Sequence, residues 1–324
     1  CGGCGSKVGA QVLEDALSKA KAETSPDILT SVGDDAAVLA LGGEKQVITT
    51  DHLRAFWDDP YVMTRIAALH ALGDVWAMGA QPQALLAQIT LPRMSEPLQE
   101  AWLEEILSAT SQICQETGAA LVGGHTTQGA ELTVGFTATG TLSVDAMTLD
   151  RAKQGDALIL TRPIGSGTLM AGEMSGDARG DDIQSLLSVL TKAQGPVADA
   201  LVNTANALTD VTGFGLAGHA KRMADASGLT ASINLNDIPT FSGAIELVEK
   251  GVASTIAPAN EVYLETFLPD TPKARLLIDP QTAGGFLAAV PSEKVASVLE
   301  ALASVGETAA VIGDFQKHDG GSLK

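Results

Sequence analysis

The chain has 324 residues, of which 45% are apolar, and a formal net charge of −19. That length predicts about two domains, and that apolar share supports a real core rather than a disordered polymer. The charge excludes a nucleic-acid surface, which needs basic stripes, and no apolar run approaches the roughly 18 residues of a membrane span.

Aromatic residues are 4%, so the core has to come from Ala, Val, Leu and Ile. The cysteines are Cys1, Cys4 and Cys114. They are too few for a disulfide framework, which points to a reducing cytoplasm, and the start shows no secretory pattern. Cys114 lies in an apolar helical pattern and reads as a core residue.

In chain order, "CGGCGSK" (1–7) comes first. Its CxxC is half of a zinc site at most, since zinc takes four ligands and no second cluster follows. No βαβ pattern surrounds it, as a thioredoxin-like pair would require. A mobile arm over residues 1–8 fits better, with glycines that free the backbone and Lys7 beside Cys4 to favour the thiolate. A helix is expected from near Val8, with Val12, Leu13, Ala16, Leu17 and Ala20 at helical spacing. "AAVLAL" and "QVITT" read as strands, 61–79 as a long Ala-rich helix and "ALLAQITL" as a strand. Residues 96–117 read as a helix, and "GAALVGG" as a short buried strand entering a glycine turn. Leu132, Val134, Phe136 and Ala138 alternate as in a half-buried strand.

The polar stretch "DAMTLDRAKQGD" places a domain boundary near 150. Beyond it, "ALILT" is an expected strand, followed by helices at about 167–174, 183–207 and 215–227. Further strands are expected at about 229–234, 275–278, 285–290 and 308–313. Strands and helices mix without strict alternation, which predicts two α+β domains, 1–150 and 151–324.

The acidic residues with chemical promise stand alone in apolar or Gly-rich surroundings. They are Asp34 and Asp35 in "VGDDAAV", Asp51 in "ITTDHL", Asp74 in "ALGDVWAMG" and Asp210 in "LTDVTGFGLAGH". A buried carboxylate needs a partner, and Mg²⁺ is one that also bridges to phosphates. Any one of them reads equally well as a helix cap or turn residue. Their number, each beside a strand end or glycine turn, favours metal. Asp74 is the sharpest, because Asp is a poor mid-helix residue. His70, four residues earlier on the same face, reads as a packed neighbour. "VGGHTT" (122–127) and "DVTGFGLAGH" (210–219) read as Gly-rich turns able to approach phosphate, and "DPQTAGG" (279–285) as a structural turn. The P-loop and Rossmann fingerprints are missing from the sequence.

Taken in order, "GCGSK", "DDAAV", "TTD", "GDVWAMGA", "GGHT", "TDVTGFGLAGH" and "DPQTAGG" resemble the blocks of the selenophosphate synthetase family, also called selenide, water dikinases. The resemblance covers nearly the whole chain. It implies an N-terminal domain that pairs with its copy across a homodimer to form a β-barrel, with the C-terminal domain, an α/β sandwich, packed outside. It implies conversion of ATP, selenide and water to selenophosphate, phosphate and AMP. Cys4 and Lys7 match catalytic positions. Asp35, Asp74 and Asp210 match Mg²⁺ ligands, the last supplied by the C-terminal domain. Lys7, Gly33, Asp34, Asp51 and Asp74 match positions that contact ATP. Gly124, His125 and Thr126 match a turn that reaches the nucleotide from the partner subunit. The resemblance also leaves room for a monovalent cation such as K⁺. Its implied partners are ATP, selenide, a second copy of the chain, and a selenium-delivery protein or fused oxidoreductase domain, with no nucleic acid or membrane.

The chain departs from the family pattern at four places. Ser6 stands where many members carry a second cysteine. His70 replaces a common asparagine, Gly73 replaces a serine, and Cys1 creates a CxxC that most members lack. Two other readings use the same residues. One is a kinase or synthetase of the wider superfamily that acts on another acceptor and yields ADP. The other is a nucleotide-binding redox or metal sensor using Cys1 and Cys4.

Overall fold

The computed structural model describes residues 2–19, 25–30, 33–264, 268–318 and 320–324. Cys1 lies outside the described residues. Two five-stranded sheets organise the chain. The first comprises β1 (Ala37–Leu41), β2 (Glu44–Arg54), β3 (Gln81–Pro92), β4 (Ala120–Gly129) and β5 (Thr133–Leu142) in the order β1-β2-β5-β3-β4. All neighbours are antiparallel except β3 and β4, which run parallel because a helix connects them. The second comprises β6 (Ala157–Leu160), β7 (Ala207–Asp210), β8 (Leu229–Ile233), β9 (Phe286–Val290) and β10 (Ala310–Lys317) in the order β7-β9-β6-β10-β8, antiparallel throughout. The result is a two-domain α+β fold.

The helices are α1 (Ala10–Lys19), α2 (Pro60–Ala77), α3 (Glu96–Thr117), α4 (Ser166–Ser175), α5 (Gly180–Leu190), α6 (Gly195–Val202) and α7 (Gly215–Ser227), with four shorter or C-terminal ones after them. Among the described residues, no helix is long and apolar enough to cross a membrane.

α2 positions the site. Asp59 caps it by accepting from the Val62 amide at 3.0 Å, and Pro60 sits at its first turn, where a missing N–H is harmless. Its residues are apolar around most of the circumference, so it is buried between the first sheet, α3 and β7. Small residues such as Ala67, Ala68 and Ala71 let those neighbours approach closely.

Several expectations need correction. The apolar run 275–278 is helical, a short helix over Pro272–Arg275 continued by a 3₁₀ turn over Leu276–Ile278. A short buried apolar run looks the same in either state, and here Thr271 caps the helix by accepting from the Ala274 amide. The single helix expected over 183–207 is two, broken where Gly195 and Pro196 restart the chain as α6. The buried strand and glycine turn around 118–127 are one continuous edge strand, β4, exposed along nearly all its length. Gly124 is needed there because a Cβ would lie 2.0 Å from the Ala87 carbonyl oxygen on β3. The first helix begins at Ala10 rather than Val8. By contrast, Leu132, Val134, Phe136 and Ala138 are all buried, as their alternation predicts.

Candidate active site

Elements far apart in sequence converge on one site. They are the arm before α1, strand β2, helix α2, the end of β7 and the 279–285 turn. Gly3–Ser6 forms a 3₁₀ turn, and the arm is docked rather than projecting. The Cys4 amide donates to Thr282 Oγ at 3.3 Å, and Thr255 Oγ donates to the Gly5 carbonyl at 2.7 Å. Gly2 has to be glycine for this docking, since a Cβ would meet the Ala55 carbonyl oxygen at 1.9 Å.

In one half of the site every polar group has a partner. Lys7 Nζ lies 3.1 Å from Asp51 Oδ1, and its stem packs on Gly213. Cys4 Sγ lies 3.3 Å from His70 Nε2, which is also 3.5 Å from Asp51 Oδ2. Burial raises the pKa of the Cys4 thiol, but His70 and Lys7 outweigh it and bring it below the ordinary value. Burial pushes Asp51 up, and His70 and Lys7 overcome that to hold its carboxyl low. Burial pulls Lys7 down, and Asp51 with Cys4 holds it above the usual lysine value. Burial likewise pulls His70 down, but the charges of Cys4 and Asp51 outweigh it, so electrostatics alone lift the ring above its ordinary value.

The other half is unbalanced. Asp35, Asp74 and Asp210 each place a carboxylate oxygen within 4.8 Å of the others. Burial pushes Asp35 up to about 7, against the pull of Arg222 and a hydrogen bond from Thr209. Burial, reinforced by mutual repulsion, lifts Asp74 and Asp210 well above the carboxylate range. Asp35 Oδ2 and Asp210 Oδ1 are buried and accept no hydrogen bond. Three converging carboxylates, two of them with a buried oxygen that accepts no hydrogen bond and none in a salt bridge among the described residues, fit a hard divalent cation such as Mg²⁺.

The surrounding side chains orient this cluster. Thr49 on β2 donates to Asp74 Oδ2 at 2.5 Å, and Thr209 donates to Asp35 Oδ1 at 3.0 Å. Behind Thr209, His219 Nδ1 lies 3.3 Å from the hydroxyl while Nε2 accepts the Thr212 amide at 3.0 Å. The ring proton therefore belongs on Nδ1, and burial keeps the imidazole neutral. Gly73 matters here too. A Cβ at that position would lie 2.5 Å from Asp210 Oδ2, so glycine lets β7 bring its carboxylate against α2.

Not every expected residue joins the cluster. Asp34 turns away and accepts from the Leu149 amide at 3.0 Å, and the Gly33 carbonyl accepts from the Arg222 guanidinium. Gly124, His125 and Thr126 lie on exposed β4, three strands from β2. The "DVTGFGLAGH" stretch is a strand end, a short turn and the start of α7. Sequence reasoning missed Thr49, Thr209 and His219, read the 279–285 turn as structural only, and kept His70 only as a neighbour. The signals were a histidine four residues before the mid-helix Asp74 and a threonine immediately before Asp210.

The fold and the carboxylate cluster define a class. The profile of the AIR synthase related protein N-terminal domain matches residues 33–142, and that of its C-terminal domain matches 153–324. A thiamine-monophosphate kinase from Stenotrophomonas maltophilia superposes with a TM-score of 0.70 at 22% identity, covering 97% of this chain and 94% of its own. The hydrogenase maturation protein HypE from E. coli gives 0.67 at 21%, covering 97% and 93%. Both share the fold. Sequence relatives are more specific. The selenide, water dikinase of Pseudomonas straminea is 36% identical over 97% of this chain and 91% of its own length. That of Bdellovibrio bacteriovorus is 33% identical over 97% and 92%. The chain belongs to the selenide, water dikinase family.

Proposed function

We propose that this chain makes selenophosphate from ATP, selenide and water, releasing phosphate and AMP. The observation that carries the reading is convergence. In a member of this family, Cys4 and Lys7 dock beside a cluster of three carboxylates that form no salt bridge among the described residues, and Asp51 pairs with Lys7. Asp35, Asp74 and Asp210 would hold Mg²⁺, which neutralises charge on the triphosphate. Thr49 and Thr209 keep Asp74 and Asp35 aimed. Lys7 stabilises charge on the transferred phosphoryl group. Cys4 handles the selenide, and the docked arm keeps bulk water out until the second cleavage. Gly33 and Asp34 bound the nucleotide beside Arg222.

A second copy completes the site in this reading. β4 is an exposed edge with Leu121 and Val122 uncovered, and open edges call for a partner. Pairing there closes the two first sheets into a barrel with the second domains outside. It brings Gly124, His125 and Thr126 of one protomer to the nucleotide of the other. The two units of each protomer meet near residue 150. A cytoplasmic location suits the two free thiols among the described residues, Cys4 and Cys114.

Anaerobic ³¹P NMR with ATP, Mg²⁺ and selenide tests the reaction. A selenium-coupled phosphorus signal with AMP and phosphate, lost in Cys4→Ser, is the expected result. ADP alone, unchanged in Cys4→Ser, would move the chain to another acceptor.

A further inference from the structure

Cys4 and His70 are both fully enclosed, with Sγ 3.3 Å from Nε2. The other ring nitrogen, Nδ1, faces the backbone N–H of Ala283 at 3.3 Å. An amide N–H can only donate, so Nδ1 accepts and the ring proton belongs on Nε2. Nε2 then has two acceptors in reach, Cys4 Sγ and Asp51 Oδ2.

The turn that supplies the amide is strained and braced. Ala283 has φ 45°, and among the described residues it is the one non-glycine with positive φ. Such a conformation is unfavourable for an L residue and persists where its surroundings impose it. Here Gln281 accepts from the Gly165 and Ser166 amides, Ser166 Oγ accepts from the Thr282 amide, and Gly284 is pressed against the Val211 carbonyl. The same turn binds the Cys4 amide through Thr282.

We propose that His70 is the positioning residue for Cys4: as a singly protonated imidazole, its tautomer fixed by the Ala283 amide, it holds the sulfur through an Nε2–H···S hydrogen bond. The charges of Cys4 and Asp51 favour a second ring proton, and the Ala283 N–H opposes it at the atom that would have to take it. His70 from α2, Lys7 from the arm and Asp51 from β2 are the charged or titratable groups facing the sulfur. The carboxylate of the 279–285 turn, Asp279, is directed to Thr168 and Gln281 instead of the sulfur. An asparagine at position 70 is too short to place a donor where Nε2 stands, whereas glutamine reaches it. For turnover, the inference rests on the reading of Cys4 as the selenide-handling group; the hydrogen bond itself does not.

The test is NMR of the full chain carrying ¹⁵N-histidine and ¹³Cβ-cysteine. At pH 7.5 the unmodified protein should show a histidine with Nδ1 bare and Nε2 protonated, and this signal should vanish in His70→Gln. The Cys4 midpoint, assigned with Cys4→Ser, should move up by about one pH unit in His70→Leu. In His70→Gln it should move by roughly half that or less, because a neutral donor remains. Selenophosphate turnover should fall in the same order, in kcat rather than KM for ATP. A doubly protonated ring, a proton on Nδ1, or a Cys4 midpoint unmoved in His70→Leu would overturn the proposal. The first two are read in the unmodified protein, with His70→Gln serving only to assign the signal. If the NMR pattern holds while Cys4→Ser still makes selenophosphate, the catalytic reading of Cys4 fails and the hydrogen bond stands.

Discussion

The two halves of the site bury charge in opposite ways. Around Cys4, each buried polar group has a partner within contact: Lys7 pairs with Asp51, and the His70 ring hydrogen-bonds the sulfur and faces Asp51. Around Asp74, three carboxylates face one another, and two of their oxygens have no donor. The first half is complete in the protein alone. The second is left with excess negative charge, because clustered anions in a low-dielectric site hold protons unless a cation joins them. In the proposed reaction, the group that handles substrate is preset by side chains, while the cluster would leave the charge of a triphosphate to a metal.

Breaking the unbalanced half should have the largest effect. Asp74→Ala removes the central carboxylate and should lower ATP turnover at least about 10³-fold, measured as phosphate release under saturating Mg²⁺. Turnover within tenfold of the unmodified chain would remove Asp74 from the metal site. In the balanced half, Lys7→Met deletes one charge without touching the carboxylates. It should cost about 10²–10³ in kcat, with Mn²⁺ binding by the protein unchanged. A parallel loss of Mn²⁺ binding would mean that the two halves are not separable.

A pH experiment sharpens the contrast without any variant. The folded-state pKa values of Asp35, Asp74 and Asp210 lie above their unfolded values, with Asp35 at about 7. The folded protein therefore binds more protons than the unfolded chain between roughly pH 4 and the raised values. Stability of the metal-free protein should then fall as pH rises through that window. In EDTA the melting temperature should be lower at pH 8 than at pH 5.5. Mg²⁺ should raise it more at pH 8, where Asp35, raised to about 7, has lost its proton and protons compete less for the cluster. An equal Mg²⁺ effect at both values would detach the cluster from metal binding.

The smallest expected effect is steric. Gly73→Ala puts a methyl group 2.5 Å from Asp210 Oδ2 and has to push that carboxylate aside. Mg²⁺ affinity, read by calorimetry, should weaken about tenfold, as misplacing a ligand commonly does. An unchanged affinity would show that Asp210 can turn away and still ligate.

Much of this was legible in the residues. A lone Asp in an apolar helix, a Thr-Asp at a strand end and an Asp-Asp before a strand announce chemistry, because such residues are costly where the pattern puts them. The alternation through Phe136 and the mid-helix position of Asp74 follow from local periodicity alone. The 275–278 run did not, because a short buried apolar stretch carries no period to separate helix from strand. β4 was misread for a related reason: its glycines serve close strand approach, and in sequence that looks like a turn.

What the sequence determined by itself was therefore the family, the two-unit organisation and the residue types of the site, since these are written in composition, spacing and motif order. What only the tertiary structure decided was partnership. It carried Asp210 across from the second sheet to Asp74, turned Asp34 away to cap Leu149, and set Ala283 against His70 and His70 against Cys4. These pairs are separated by tens to hundreds of positions, and no local pattern encodes them. They arise because burying α2 between two sheets leaves its few polar side chains only the partners that the packing brings within reach.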